Sequence, residues 1–137
     1  MSPTIPTDRR TITRRIAGGL AAAIAIVYFL IGFEVVTVWE GGVGQRQFGL
    51  LAGSAFLAGA VVISFTDKRV LWVLGALAQV PIILAYFDFA SEREPAFEPW
   101  GITIRVLQVV LIFALGYLAS TRPRVERPED LPALVRN

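Results

Sequence analysis

Residues 17–38, AGGLAAAIAIVYFLIGFEVVTV, form a continuous apolar run that contains one charged side chain, Glu34. A helix of about 20 residues, at 1.5 Å each, crosses a hydrocarbon core of roughly 30 Å, so a run of this length reads as a transmembrane helix. Three more runs of the same character follow, and the last carries Arg105, the one basic residue within a span. Spans are predicted near residues 16–39, 48–65, 70–89 and 100–120. The predicted fold class is all-α: an integral membrane protein built as an antiparallel up-down-up-down bundle of four transmembrane helices. One transmembrane domain is expected over residues 16–120, between a mobile basic segment 1–15 and a mobile tail 121–137 that contains Pro and Arg.

Composition narrows the function classes. At 137 residues, 55% hydrophobic and 18% charged, the chain is too short for two domains and too apolar for an ordinary soluble one. Its net charge is +2, but the Arg residues flank apolar runs instead of lining one surface stripe, so no nucleic acid is expected as a partner. The chain has no Cys and no His, which removes disulfides, thiolate metal sites, the usual haem ligand and the commonest general base. No cofactor, metal or catalytic residue is expected, and the chain is read as a non-enzyme.

The segment MSPTIPTDRRTITRR places Arg14 and Arg15 directly before the first run, which also suits a secretory signal. The run behind them is longer than a signal core, and Trp39-Glu40 and glycines follow in place of a small-residue cleavage site, so it reads as an anchor. If the spans alternate direction, Arg9, Arg10, Arg14, Arg15, Lys68, Arg69, Arg122, Arg124, Arg127 and Arg136 fall on one side, against Arg46 and Arg93 on the other. Ten against two follows the positive-inside rule, so a multi-pass protein of the cell membrane with both termini cytoplasmic is predicted. The loop holding Asp88, Glu92, Glu94 and Glu98 is then external; it lacks the alternating ligand spacing of a calcium loop and reads as a solvated cap. Gly41, Gly42 and Gly44 are not followed by the Lys and Ser or Thr of a phosphate loop, so they read as a turn.

Contact surfaces dominate the spans themselves. Ala17, Ala21 and Ala25 recur every four residues, and Gly49 with Gly53 has the GxxxG spacing; such faces let helix backbones approach closely where no hydrophobic effect drives association. The Gly49-Gly53 face suits either a homodimer or tight packing within the chain's own bundle. The short connection at Thr66, Asp67, Lys68 and Arg69 predicts a hairpin of the second and third spans. The third span carries Gln79 and Pro81 near its centre, which predicts an interhelical hydrogen bond and a bend, or else a polar cavity wall.

With the orientation fixed, depths can be compared. Glu34 lies about six or seven residues outward from the middle of its span, roughly 10 Å, and Arg105 about five residues outward in the fourth, roughly 7 Å. An isolated charge in hydrocarbon costs about 3 kcal/mol or more, so the two are expected to face inward and pair, with Gln108 as a third member, which would make the first and fourth helices neighbours. Either the pair sets helix register, or each side chain snorkels to the outer interface, or the two with Gln108 and Gln79 form a proton- or substrate-coupled site.

Four spans with a carboxylate in the first are similar in outline to the small multidrug resistance transporters, a resemblance that implies proton-coupled export through that Glu. The small four-helix DoxX-like membrane proteins are also similar in length and layout. Both likenesses are of layout, without a shared motif, and no residue role is carried over. The function expected from the residues is a non-catalytic membrane protein that acts by helix packing, as accessory subunit or homo-oligomer, with the lipid bilayer and other membrane chains or itself as partners. The alternative is a small proton-coupled transporter that uses Glu34.

Overall fold

The computed structural model describes residues 9–36, 45–91 and 98–121. Among them are four helices: α1 (Arg9–Gly32), α2 (Gln45–Phe65), α3 (Arg69–Ser91) and α4 (Pro99–Ser120). The described residues contain no strand, and all four helices are long and apolar enough to cross a membrane. The expected turn at Gly41, Gly42 and Gly44, Trp39, the loop residues Glu92 and Glu94, and the tail from Arg122 lie outside the described residues.

Helices α2, α3 and α4 fall within three residues of the predicted spans, whereas α1 is displaced by seven residues at both ends. It begins at Arg9, inside the segment expected to precede the bundle, because hydropathy marks where apolar residues start and not where helical hydrogen bonding starts. Arg10 gives the early start a tertiary reason. Its guanidinium sits 4.8 Å from the Trp72 ring centroid, donates to Asp67 Oδ1 at 2.8 Å, and reaches the end of α4. There it donates to Leu118 O at 3.1 Å, to Thr121 Oγ1 at 2.9 Å and to the Thr121 carbonyl. A cation placed on the last carbonyls of a helix satisfies orphan acceptors and complements the helix dipole.

The early end of α1 has a local reason. Glu34 adopts φ 60°, the left-handed region. Its N–H donates to Ile31 O at 3.0 Å and the Val35 N–H donates to Leu30 O at 2.9 Å. Those two bonds, five-to-two and six-to-one, form a Schellman motif in which Glu34 holds the position usually given to Gly. The backbone therefore leaves the helix before Glu34.

α1 packs on α2 and on α4, and α4 packs on α3. The expected hairpin is not formed: α2 and α3 share no packed face although only residues 66–68 join them. A short connection ties two helix ends together, but the faces choose the partners. Small residues on α2 fit α1: a Cβ added to Gly49 would lie 2.7 Å from the Gly32 Cα and 2.7 Å from Tyr28 O, and one added to Gly53 would meet the Phe29 ring at 2.9 Å. At the other end, a Cβ on Gly18 would sit 3.1 Å from Ser64 Oγ. The start of α3 lies against the end of α4, where Gly75 meets Leu115, and the end of α3 meets the start of α4, where Tyr86 lies on Gly101. The helices thus lie in the order α2, α1, α4, α3.

The core runs along α1 and α4. Ala17, Ala21, Ile24, Tyr28 and Ile31 of α1 meet Ile104, Leu111, Leu115 and Leu118 of α4, with Ala60, Ile63 and Trp72 beside them. The outward faces are apolar as well: Leu51, Leu74, Leu84 and Phe113 are exposed, and Phe65 is 86% exposed. Exposed apolar residues on every helix are what a lipid solvent requires and what water would penalise.

Candidate functional site

One face of α4 presents Gly101, Ile104, Arg105, Gln108, Leu111, Leu115 and Leu118 to the interior. The spacing of three puts Arg105 and Gln108 side by side on that face. Arg105 is only 7% exposed and Gln108 is fully buried. The Arg105 Nη1 donates to Gln108 Oε1, and Nη2 donates to the Tyr28 hydroxyl of α1 at 3.3 Å. The guanidinium carbon lies 4.5 Å from the Tyr86 ring centroid of α3, so the ring's negative face adds a cation–π contact.

Each partner is positioned by its own surroundings. Tyr28 is wedged between Phe48, edge-on at 5.8 Å, and Phe56, stacked at 5.6 Å, both from α2. Tyr86 lies across Gly101, where any Cβ would collide with its ring. Three helices therefore supply the cluster and the fourth braces it. All of its acceptors are neutral: an amide oxygen, a phenol oxygen and a ring face. Two donors, Arg105 Nε and Gln108 Nε2, are buried without a partner among the described residues. Leaving such a donor unmet in a dry interior costs about 1–3 kcal/mol.

The expected ion pair between Glu34 and Arg105 is not formed. Glu34 is exposed beyond the end of α1, and Arg105 points into the bundle toward Gln108 and Tyr28. Arg10 and Asp67 do form an ion pair, at 2.8 Å, at the opposite end of α4. Depth along a helix was the basis for pairing them, and depth ignores the point at which the helix stops. The first and fourth helices are neighbours nonetheless, joined by Tyr28–Arg105 and Arg10–Thr121.

The third member, Gln108, does join Arg105. Gln79 is 5% exposed, but its amide donates within its own helix, to Gly75 O at 3.1 Å, and its Oε1 has no partner. The expected interhelical hydrogen bond is not formed among the described residues. Pro81 lies inside an uninterrupted α3. Ala17, Ala21, Ala25, Gly49 and Gly53 are all buried, and the two glycines face α1 of the same chain. Of the two uses foreseen for the Gly49-Gly53 face, packing within the bundle is the one found.

Sequence reading missed Arg10 as a tertiary contact and Tyr28 and Tyr86 as partners of Arg105. A usable signal existed for Arg105: a lone cation in an apolar span needs acceptors, and Tyr28 and Tyr86 lie in the spans on which α4 packs. No such signal marked Arg10, one of four arginines in a basic segment.

The fold and this cluster define the chain as a bundle of four membrane-compatible helices around a buried arginine. No protein-family model, curated protein or solved structure matches it.

Proposed function

We propose that this chain is a non-catalytic multi-pass protein of the cell membrane, with antiparallel spans and both termini cytoplasmic, that works by packing against other membrane chains as an accessory subunit or homo-oligomer. The observation that carries this reading is the open side of the bundle. α2 and α3 are not packed on each other, and the outward face of α2 keeps Ser54, Ala55 and Ala58 exposed beside Gly59, where an added Cβ would meet nothing within 4 Å. Small residues at Ser54–Ala58 and Ala55–Gly59 have the spacing that lets a further helix approach closely in lipid. The Gly49-Gly53 face is not the docking surface, since α1 occupies it. The transporter reading depended on a titrating carboxylate within the first span, and with Glu34 beyond α1 it loses that group.

Because the chain has no Cys, single cysteines can be introduced without background. Ala58→Cys should form a cross-link in the membrane on mild oxidation, either to itself or to a partner chain, while Ala21→Cys, buried within the bundle, should not. A strictly monomeric protein with no cross-link from Ala55→Cys, Ala58→Cys or any exposed position of α3 would sink the proposal. Labelling of intact cells tests the orientation separately. A reagent that cannot cross the membrane should modify Ser91→Cys and spare Lys68→Cys, and the reverse pattern would invert the topology.

A further inference from the structure

We infer that the Arg105 cluster is a binding site for a phosphate-type oxyanion. Arg105 is more than nine-tenths buried, and no carboxylate is paired with it among the described residues. Its Nη1 and Nη2 are used by Gln108 and Tyr28, which leaves the Nε–H of the guanidinium buried and without a partner among the described residues. The Nε–H edge, with a second Nη2 hydrogen, is the side from which arginine grips a phosphate or carboxylate with two parallel bonds. Gln108 Nε2 is the second unmet donor in the cluster. The Tyr28 hydroxyl, which accepts from Arg105, still has its own proton to give.

Donor excess and charge point the same way. A neutral acceptor such as water would meet the donors but leave a full positive charge with only neutral partners in the interior, whereas an oxyanion meets both. Tyr86 covers one face of the guanidinium, while the unmet Nε–H donor lies in the guanidinium plane, clear of that ring. Arg105 is the seventh residue of α4, about 9 Å along the axis from its first, which places it within a side chain's length of the interface end of the span. The exposed Trp100 marks that end. The same oxyanion chemistry is available from the phosphodiester of an anionic lipid at that interface or from free phosphate in the adjacent water.

The test uses the full chain purified into nanodiscs of phosphatidylcholine. Phosphatidylglycerol is titrated in one arm and inorganic phosphate in the other, with the thermal midpoint and native mass spectrometry of retained lipid as readouts. A ligand that binds the folded state alone raises the midpoint saturably. One of the two probes should do so with one bound per chain. Arg105→Gln should weaken that probe at least tenfold. Arg105→Lys, which keeps the charge but loses the Nε edge, should weaken it severalfold even if the Gln variant does not fold. Lys68→Gln and Arg69→Gln, at exposed positions far along the chain from the cluster, should change nothing.

A response to phosphatidylglycerol alone identifies the lipid as the source, and a response to inorganic phosphate identifies the free ion. Absence of a saturable response to both probes in the unaltered protein overturns the inference. So does an equal response in Arg105→Lys, or a loss that Lys68→Gln reproduces. Only the lipid arm depends on the membrane reading, and the labelling experiment fails independently of either arm.

Discussion

Replacing Glu34 with Gly should stabilise this protein, the opposite of what removal of a buried ion-pair partner would do. Glu34 sits at φ 60° in the C′ position of the Schellman motif that closes α1, with its side chain exposed. A residue with a Cβ in the left-handed region carries a cost of about 1–2 kcal/mol that Gly does not. Gly gives back roughly 0.5–1 kcal/mol through the greater freedom of the unfolded chain. The balance favours Glu34→Gly by about 0.5–1 kcal/mol, or a rise of about 2–5 °C in the thermal midpoint for a chain of this size. Glu34→Gln keeps the same backbone cost and should stay within about 0.5 kcal/mol of the parent. A β-branched residue tolerates this conformation worst, so Glu34→Val should lower stability by more than about 1 kcal/mol. The assay is thermal unfolding of the purified chain in one detergent at one pH and salt concentration. If Glu34→Gly and Glu34→Gln both lost about 3–5 kcal/mol, the carboxylate would be a buried charge partner and the motif irrelevant.

Other substitutions probe the packing. Gly49→Ala places its Cβ 2.7 Å from the Gly32 Cα and should cost about 1–3 kcal/mol as α1 and α2 are forced apart. Gly59→Ala and Gly116→Ala, with nothing within 4 Å of the new carbon, should be neutral or gain up to about 1 kcal/mol of helix propensity; equal losses at all three would contradict the α1–α2 contact. Arg10→Ala should lose about 2–3 kcal/mol by unlatching α1 from Thr121, Leu118 and Trp72, whereas Asp67→Asn, at a side chain 40% exposed, should lose no more than about 0.5 kcal/mol. Similar losses for the two would place the energy in the ion pair. Glu34→Gln and Arg105→Gln should be additive within about 0.5 kcal/mol in thermal unfolding, and a double variant more stable than Arg105→Gln alone by more than that would restore the expected pair.

The four helices were legible from sequence because the length of an apolar run is a local property, and a bilayer-length run is hard to satisfy in any other way. The all-α class and the approximate bounds of α2, α3 and α4 follow from it. The buried Arg105–Gln108 pair was legible too, since two residues three apart on one helix must share a face. Tertiary structure decided the rest. Where α1 starts depends on what Arg10 can reach at the far end of the chain, and where it stops depends on a single residue entering the left-handed region, which hydropathy does not register. The partner of Arg105 depends on rotation about each helix axis as well as depth along it, so Tyr28 and Tyr86 could meet the guanidinium while Glu34, matched in depth by counting, could not. Which helices touch is settled by the fit of surfaces: glycines on α2 admit α1 to a backbone distance that no neighbour in the sequence specifies, and a three-residue connection cannot override that contact.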